Sequence, residues 1–94
     1  MTDSLESLRQ KMEEINTEML KLLNARTAIS LQIKEIKQQK GVPFFDMERE
    51  RLMLENIAKN NDGPTPAPMT KKFFEEVFKI SRACMEQETE NIKN

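Results

Sequence analysis

The stretch Asp3–Lys40, DSLESLRQKMEEINTEMLKLLNARTAISLQIKEIKQQK, decides the fold, because its apolar side chains keep one spacing for about five heptads. Leu5, Leu8, Met12, Ile15, Met19, Leu22, Ile29, Ile33 and Ile36 fall at steps of three and four, with a single gap that Arg26 fills. This rhythm predicts one long helix, from about residue 4 to 40, with a coiled-coil-like seam and an arginine inside it. Asp3 followed by Glu6 forms a capping-box pattern at its start. At its end, Lys37 and Lys40 complement the negative pole of the helix dipole, Gly41 suits the left-handed C′ position, and Pro43 forbids continuation. A helix of about 37 residues is roughly 55 Å long, whereas a compact chain of this size has a radius of gyration of about 12 Å. The chain cannot cover its own seam. A second copy that buries it, most simply about a two-fold axis, is the expected solution.

Ninety-four residues make one small domain, 1–94, and with 37% hydrophobic residues and no tryptophan or tyrosine its core is modest. Charged residues reach 33%, but 15 basic side chains against 16 acidic ones leave a net charge of −1, which points away from nucleic-acid and anionic-membrane surfaces. One cysteine excludes an internal disulfide framework, and no Cys/His cluster has zinc spacing. A reducing cytoplasm is the expected setting. No signal peptide precedes the helix, and no apolar run reaches the length of a bilayer crossing. The chain also has no histidine. It lacks the one side chain whose ordinary pKa lies near neutrality, which excludes a histidine acid–base or nucleophilic mechanism. An enzyme built from these residues must use shifted carboxylates or lysines, or run a reaction that transfers no proton.

The rest of the chain reads as two further helices. Gly41 to Phe45 is a loop, Asp46 suits an N-cap, and Glu48 and Glu50 favour the first turn of a helix over 47–60. Its apolar stripe is Met47, Leu52, Met53, Leu54, Ile57 and Ala58. Asn60-Asn61-Asp62-Gly63-Pro64 ends that helix, and the prolines through Pro68 predict a semi-rigid connector over 63–68. Thr70 is the expected N-cap of a third helix from Lys71 to about Gln87 or a little beyond, which buries Phe73, Phe74, Val77, Phe78, Ile80 and Cys84, with Ser81 interrupting that side. Residues 88–94 are polar and read as a fraying tail. The fold class is all-α: one long helix, one short and one medium.

Helical phase says which odd residues can share a site. Arg26 and Lys37 are about 20° out of phase and about 16 Å apart along the axis, so two long side chains could close on a small anion between them. Arg9 lies about 25 Å before Arg26 on a face rotated by roughly 100°, so within one chain it cannot join them. In a two-fold antiparallel dimer, Arg9 could instead enter the other copy's site. The short loop folds the polar start of the second helix, Asp46, Glu48, Arg49, Glu50 and Arg51, back towards Lys37. Cations with one or two carboxylates suit a ligand that bears carboxylates and a hydroxyl. Each residue also has a purely structural reading. Arg26 could set the register of an interface, Lys37 compensate the helix dipole, and Asp46 serve only as a cap. Arg9, Arg49, Glu50 and Arg51 could be surface charges, Ser81 could bond back to the preceding turn, and Cys84 could be a buried thiol.

The sequence resembles the AroQ-type all-helical chorismate mutases, especially those at the N-terminus of bacterial DAHP synthases. The resemblance runs from about Leu5 to Ser81. It is carried by Leu8-Arg9-Gln10-Lys11, Leu22-Leu23-Asn24-Ala25-Arg26, Ile33-Lys34-Glu35-Ile36-Lys37 and Asp46-Met47-Glu48-Arg49-Glu50-Arg51, in this order and spacing. It implies an intertwined homodimer with two equivalent active sites that converts chorismate to prephenate by an intramolecular Claisen rearrangement, with no metal and no cofactor. Association or fusion with a DAHP synthase is a further implication. Carried over by position, Arg26 and Arg9 of the partner subunit hold the substrate's carboxylates, and Lys37 contacts a carboxylate and the ether oxygen. Glu50 receives the hydroxyl with Asp46, Arg49 lines or supports the pocket, and Ser81 sits near the ring carboxylate. Arg9, Arg26, Lys37 and Glu50 are thus the implied catalytic residues.

One position departs from the family. A glutamine or glutamate often stands one turn after the serine, beside the ether oxygen, and here that position is Met85. Glu86 and Gln87 lie about 100° and 200° further round. Either the third helix shifts locally, or the contact is missing and turnover is weaker. Two rival readings accompany the enzyme: a domain that senses prephenate or chorismate for a DAHP synthase, and a plain helical dimerisation module.

Overall fold

Ser4 starts the first helix, its side-chain oxygen accepting the backbone N–H of Ser7 at 3.1 Å. The computed structural model describes the backbone of residues 4–93 and the side chains of residues 4–87. The cap expected at Asp3 therefore lies outside the described residues, and Ser4 takes the role with the same chemistry, a short side-chain oxygen meeting an orphan amide. From there α1 runs Leu5–Lys40 without interruption. Gly41 ends it in the left-handed conformation at φ 69°, its N–H reaching back to the carbonyls of Lys37 and Gln38.

Asp46 caps α2, Met47–Asn60, by accepting the Arg49 N–H at 3.0 Å. The third helix, α3, spans Ala67–Lys93 and so begins before Lys71 and continues beyond Gln87. The start differs for a physical reason. Proline lacks an N–H, but the first-turn amides have no intrahelical partner, so Pro68 sits in the first turn at no cost in hydrogen bonds. Pro66 supplies the carbonyl that receives Met69 and Thr70 at 3.0 and 3.1 Å. Thr70 is not a cap; its hydroxyl donates to the Ala67 carbonyl at 2.9 Å. At the other end no glycine or proline follows Gln87, and the backbone stays helical where a fraying tail was expected.

Both α1 and α2 pack against α3, and α1 and α2 meet only through side chains. The resulting shape is long, 59 × 31 × 16 Å with a radius of gyration of 17.1 Å. Among the described residues the buried apolar side chains are Val77, Phe78 and Met85, all on α3. The seam on α1 stays in solvent, with Leu5 and Leu22 each about two-thirds exposed at 65% and 68%. Where α1 crosses the first half of α3, Met19, Leu20, Leu22 and Leu23 face Phe73, Phe74, Val77 and Ile80 across an apolar groove of about 420 Å³ that Arg26 also borders. No helix among the described residues is long and apolar enough to cross a membrane.

Candidate active site

Three stripes of helical spacing converge on one cavity. Arg26, Ile29, Ser30, Ile33 and Lys37 recur on one face of α1, and Phe78, Ser81, Arg82 and Met85 on one face of α3. Asp46, Arg49, Glu50 and Met53 do the same from the cap into α2, and Phe44 and Phe45 close the loop side. The cavity is open on one side and holds about 280 Å³, near the lower end of small-molecule clefts at about 300 Å³. Of the residues singled out in the sequence, Arg26, Lys37, Asp46, Arg49, Glu50, Ser81 and Met85 line this cavity. Arg9 does not; it is exposed on the uncovered half of α1.

The Arg26 guanidinium is held from two helices. Its Nη1 donates to Ser81 Oγ at 2.5 Å, its Nη2 reaches Met53 Sδ at 4.0 Å, and its carbon lies 5.1 Å from the Phe78 ring centre. Ser81 is buried, and its hydroxyl crosses to α1 instead of bonding back within its own helix. Lys37 Nζ donates to the Phe44 carbonyl at 3.3 Å, and an ammonium with three donors keeps capacity for a ligand. Glu50 pairs with Arg82 Nη1, and the Arg82 guanidinium carbon lies 4.8 Å from the Phe45 ring centre.

The polar cluster at the start of α2 is sorted by helical phase. Asp46, Arg49 and Glu50 border the cavity, whereas Arg51 bonds Glu48 and Glu55 on the exposed side. Hydrogen bonding to Arg51 holds the Glu48 carboxyl below its ordinary range, and Glu48 raises the Arg51 guanidinium in return. Met85 is buried against the cavity, while Glu86 and Gln87 are exposed. Thus α3 does not shift to bring a polar side chain to that wall, which remains a thioether. Among the described residues no group of three or more His, Cys, Asp or Glu could hold a metal ion.

Sequence reasoning missed Arg82, Lys34 and the two phenylalanines. Arg82 follows Ser81 directly, and its partner Glu50 is far away in the chain, so only packing brings the pair together. Lys34 is 3% exposed; its Nζ donates to the Met85 carbonyl at 2.6 Å and lies 5.6 Å from the Phe44 ring centre. Phe44-Phe45 next to the Asp46 cap was the available signal for an aromatic wall.

Residues 8–86 match the family described as chorismate mutase type II. The chain belongs to that family. Its function is accordingly that of a chorismate mutase, an isomerase. It is similar to a chorismate mutase of Methanocaldococcus jannaschii, 30% identical over 95 residues that span 100% of this chain and 96% of that protein. A bifunctional chorismate mutase/prephenate dehydratase of Aquifex aeolicus is 37% identical over 59 residues, covering 63% of this chain but only 16% of that protein. Among solved structures, form II of the chorismate mutase from Thermus thermophilus superposes with a TM-score of 0.86 at 32% identity, covering 89% of this chain and 96% of the other. The chorismate mutase from Helicobacter pylori in complex with prephenate superposes with a TM-score of 0.81, also at 32% identity, covering 88% and 90%.

Proposed function

We propose that the chain rearranges chorismate to prephenate in the α1–α2–α3 cavity, and that a second copy completes each site with Arg9. The observation that carries this reading is the charge pattern of the lining: Arg26, Lys37, Arg49 and Arg82 face Asp46 and Glu50. That surplus of cations suits a substrate with two carboxylates, an enol ether and a hydroxyl. Arg26, already fixed by Ser81 and Phe78, binds one carboxylate, and Arg9 of the partner subunit binds with it. Lys37 contacts a carboxylate and the ether oxygen, Glu50 with Asp46 receives the hydroxyl, Arg49 supports the wall, and Ser81 and Met85 border the ring.

The chemistry asks for no proton donor. A pericyclic step breaks a carbon–oxygen bond as it makes a carbon–carbon bond, within one molecule. The site accelerates it by fixing the compact chair conformer and by placing the Lys37 ammonium where negative charge grows on the ether oxygen. The intertwined dimer is supported by the bare seam of α1 and by the apolar groove beside Arg26, both of which a second long helix would cover.

The test is to mix purified protein with chorismate and follow the loss of its absorbance. No turnover, together with no change in melting temperature on adding chorismate or prephenate, would refute the reading. Mixing inactive Arg9→Ala and Arg26→Ala chains tests the shared site: exchange into heterodimers restores one intact pocket in each, so activity returns on mixing. The Met85 wall supports a second reading, a prephenate- or chorismate-sensing domain associated with a DAHP synthase. In that case the ligands raise the melting temperature while turnover stays weak or absent.

A further inference from the structure

We infer that Arg82 is a positioning residue that reserves Glu50 for the substrate hydroxyl by giving it a cation of its own. The inference rests on the hydroxyl role proposed above for Glu50. Glu50 stands on α2 and Arg82 on α3, and their side chains are 24% and 30% exposed, so the pair spans the two helices at the cavity wall. The same two residues also border a second groove on the outer side of α2 and α3, beside Leu54, Lys72 and Lys79. With Phe78, which also borders both, they form the partition between the cavity and that groove.

A carboxylate placed among Arg26, Lys37 and Arg49 has an obvious alternative. It could fold onto one of them and neutralise a charge that a dicarboxylate ligand needs. The structure shows Glu50 paired with Arg82, while Arg26 bonds Ser81 and Lys37 bonds the Phe44 carbonyl. The Phe45 ring under the Arg82 guanidinium fixes the plane from which the pairing is made. One Glu50 oxygen accepts from Nη1; a carboxylate has a second oxygen, with acceptor sites left for a hydroxyl. A lone ion pair at this exposure adds little to stability, so its effect should be read in ligand selection and not in melting temperature.

The experiment is a double-mutant cycle on the full chain with Arg82→Met, Glu50→Gln and the combined variant, reading kcat/KM with chorismate. It also reads the affinity of the same dicarboxylate lacking its ring hydroxyl. Arg82→Met is expected to lower kcat/KM at least tenfold, with little further loss in the Glu50→Gln background, and to leave the dehydroxylated ligand within about threefold of wild type. Arg82→Lys keeps the charge but not the planar fork, and should retain more rate than Arg82→Met. If Arg82→Met fails to fold, Arg82→Gln, which also removes the charge but keeps a polar end, carries the same cycle. Additive losses, an equal weakening of the dehydroxylated ligand, or wild-type kinetics in Arg82→Met would each overturn the inference. Wild-type protein that neither turns over nor binds chorismate would overturn the proposed function itself, which separates the two failures.

Discussion

Removing the Lys37 ammonium takes away the one cation proposed to meet the ether oxygen. Lys37→Ala should lower kcat/KM by at least about a hundredfold, a loss of roughly 2.7 kcal/mol in transition-state stabilisation, and steady-state kinetics with chorismate checks it. Lys34 offers a contrast. Its ammonium is buried against the Met85 carbonyl and the Phe44 ring, and a buried charge gains little net stability once desolvation is counted. Lys34→Met, which keeps the stem, should stay within about 1 kcal/mol of wild type in urea unfolding, whereas Lys34→Ala, which empties the space, should cost about 2–3 kcal/mol. Arg26 and Lys37 were legible because a charge inside an apolar seam is a visible anomaly and because helical phase relates them. Lys34 was not legible, since its burial depends on α3 and the Gly41–Phe45 loop, which no local spacing in α1 reports. Arg82 was hidden for the same reason.

The ends of the helices follow from backbone chemistry, and here reading the sequence succeeded or failed according to whether one residue controlled the outcome. Gly41 did control it: at φ 69° only glycine is unstrained, and a Cβ built there meets nothing within 4 Å. The cost of Gly41→Ala is therefore backbone strain alone, about 1 kcal/mol, and Gly41→Asn should cost less. Thermal unfolding of the two variants decides this. At the start of α3 several residues competed. Three prolines argued against helix, yet Pro68 is tolerated in a first turn whose amides have no partner in any case. Proline breaks a helix in its interior, not in its first turn.

The molecule as a whole is extended and has little core of its own. Its radius of gyration is 17.1 Å, against about 12 Å for a compact chain of this length, and among the described residues the few buried apolar side chains all lie on α3. Folding should therefore be coupled to self-association, so the melting temperature should rise with protein concentration, by several degrees over a hundredfold range. A melting temperature independent of concentration would mean that the lone chain is the stable species. The overall plan of a long rod with two helices folded back was legible because the 3-4 repeat outlasts any length that this chain could cover. The cavity was less so, because it forms only where stripes from three helices meet.

Arg26 borders the cavity on one side and the apolar groove between α1 and α3 on the other. Whatever fills the groove and whatever fills the cavity therefore press on the same guanidinium, so occupancy of one should alter affinity for the other. Thermodynamic reciprocity makes the effect symmetrical: if substrate tightens the pairing of chains by some factor, pairing must tighten substrate binding by that same factor. Dilution that separates the chains would then weaken the hold on the ligand as well.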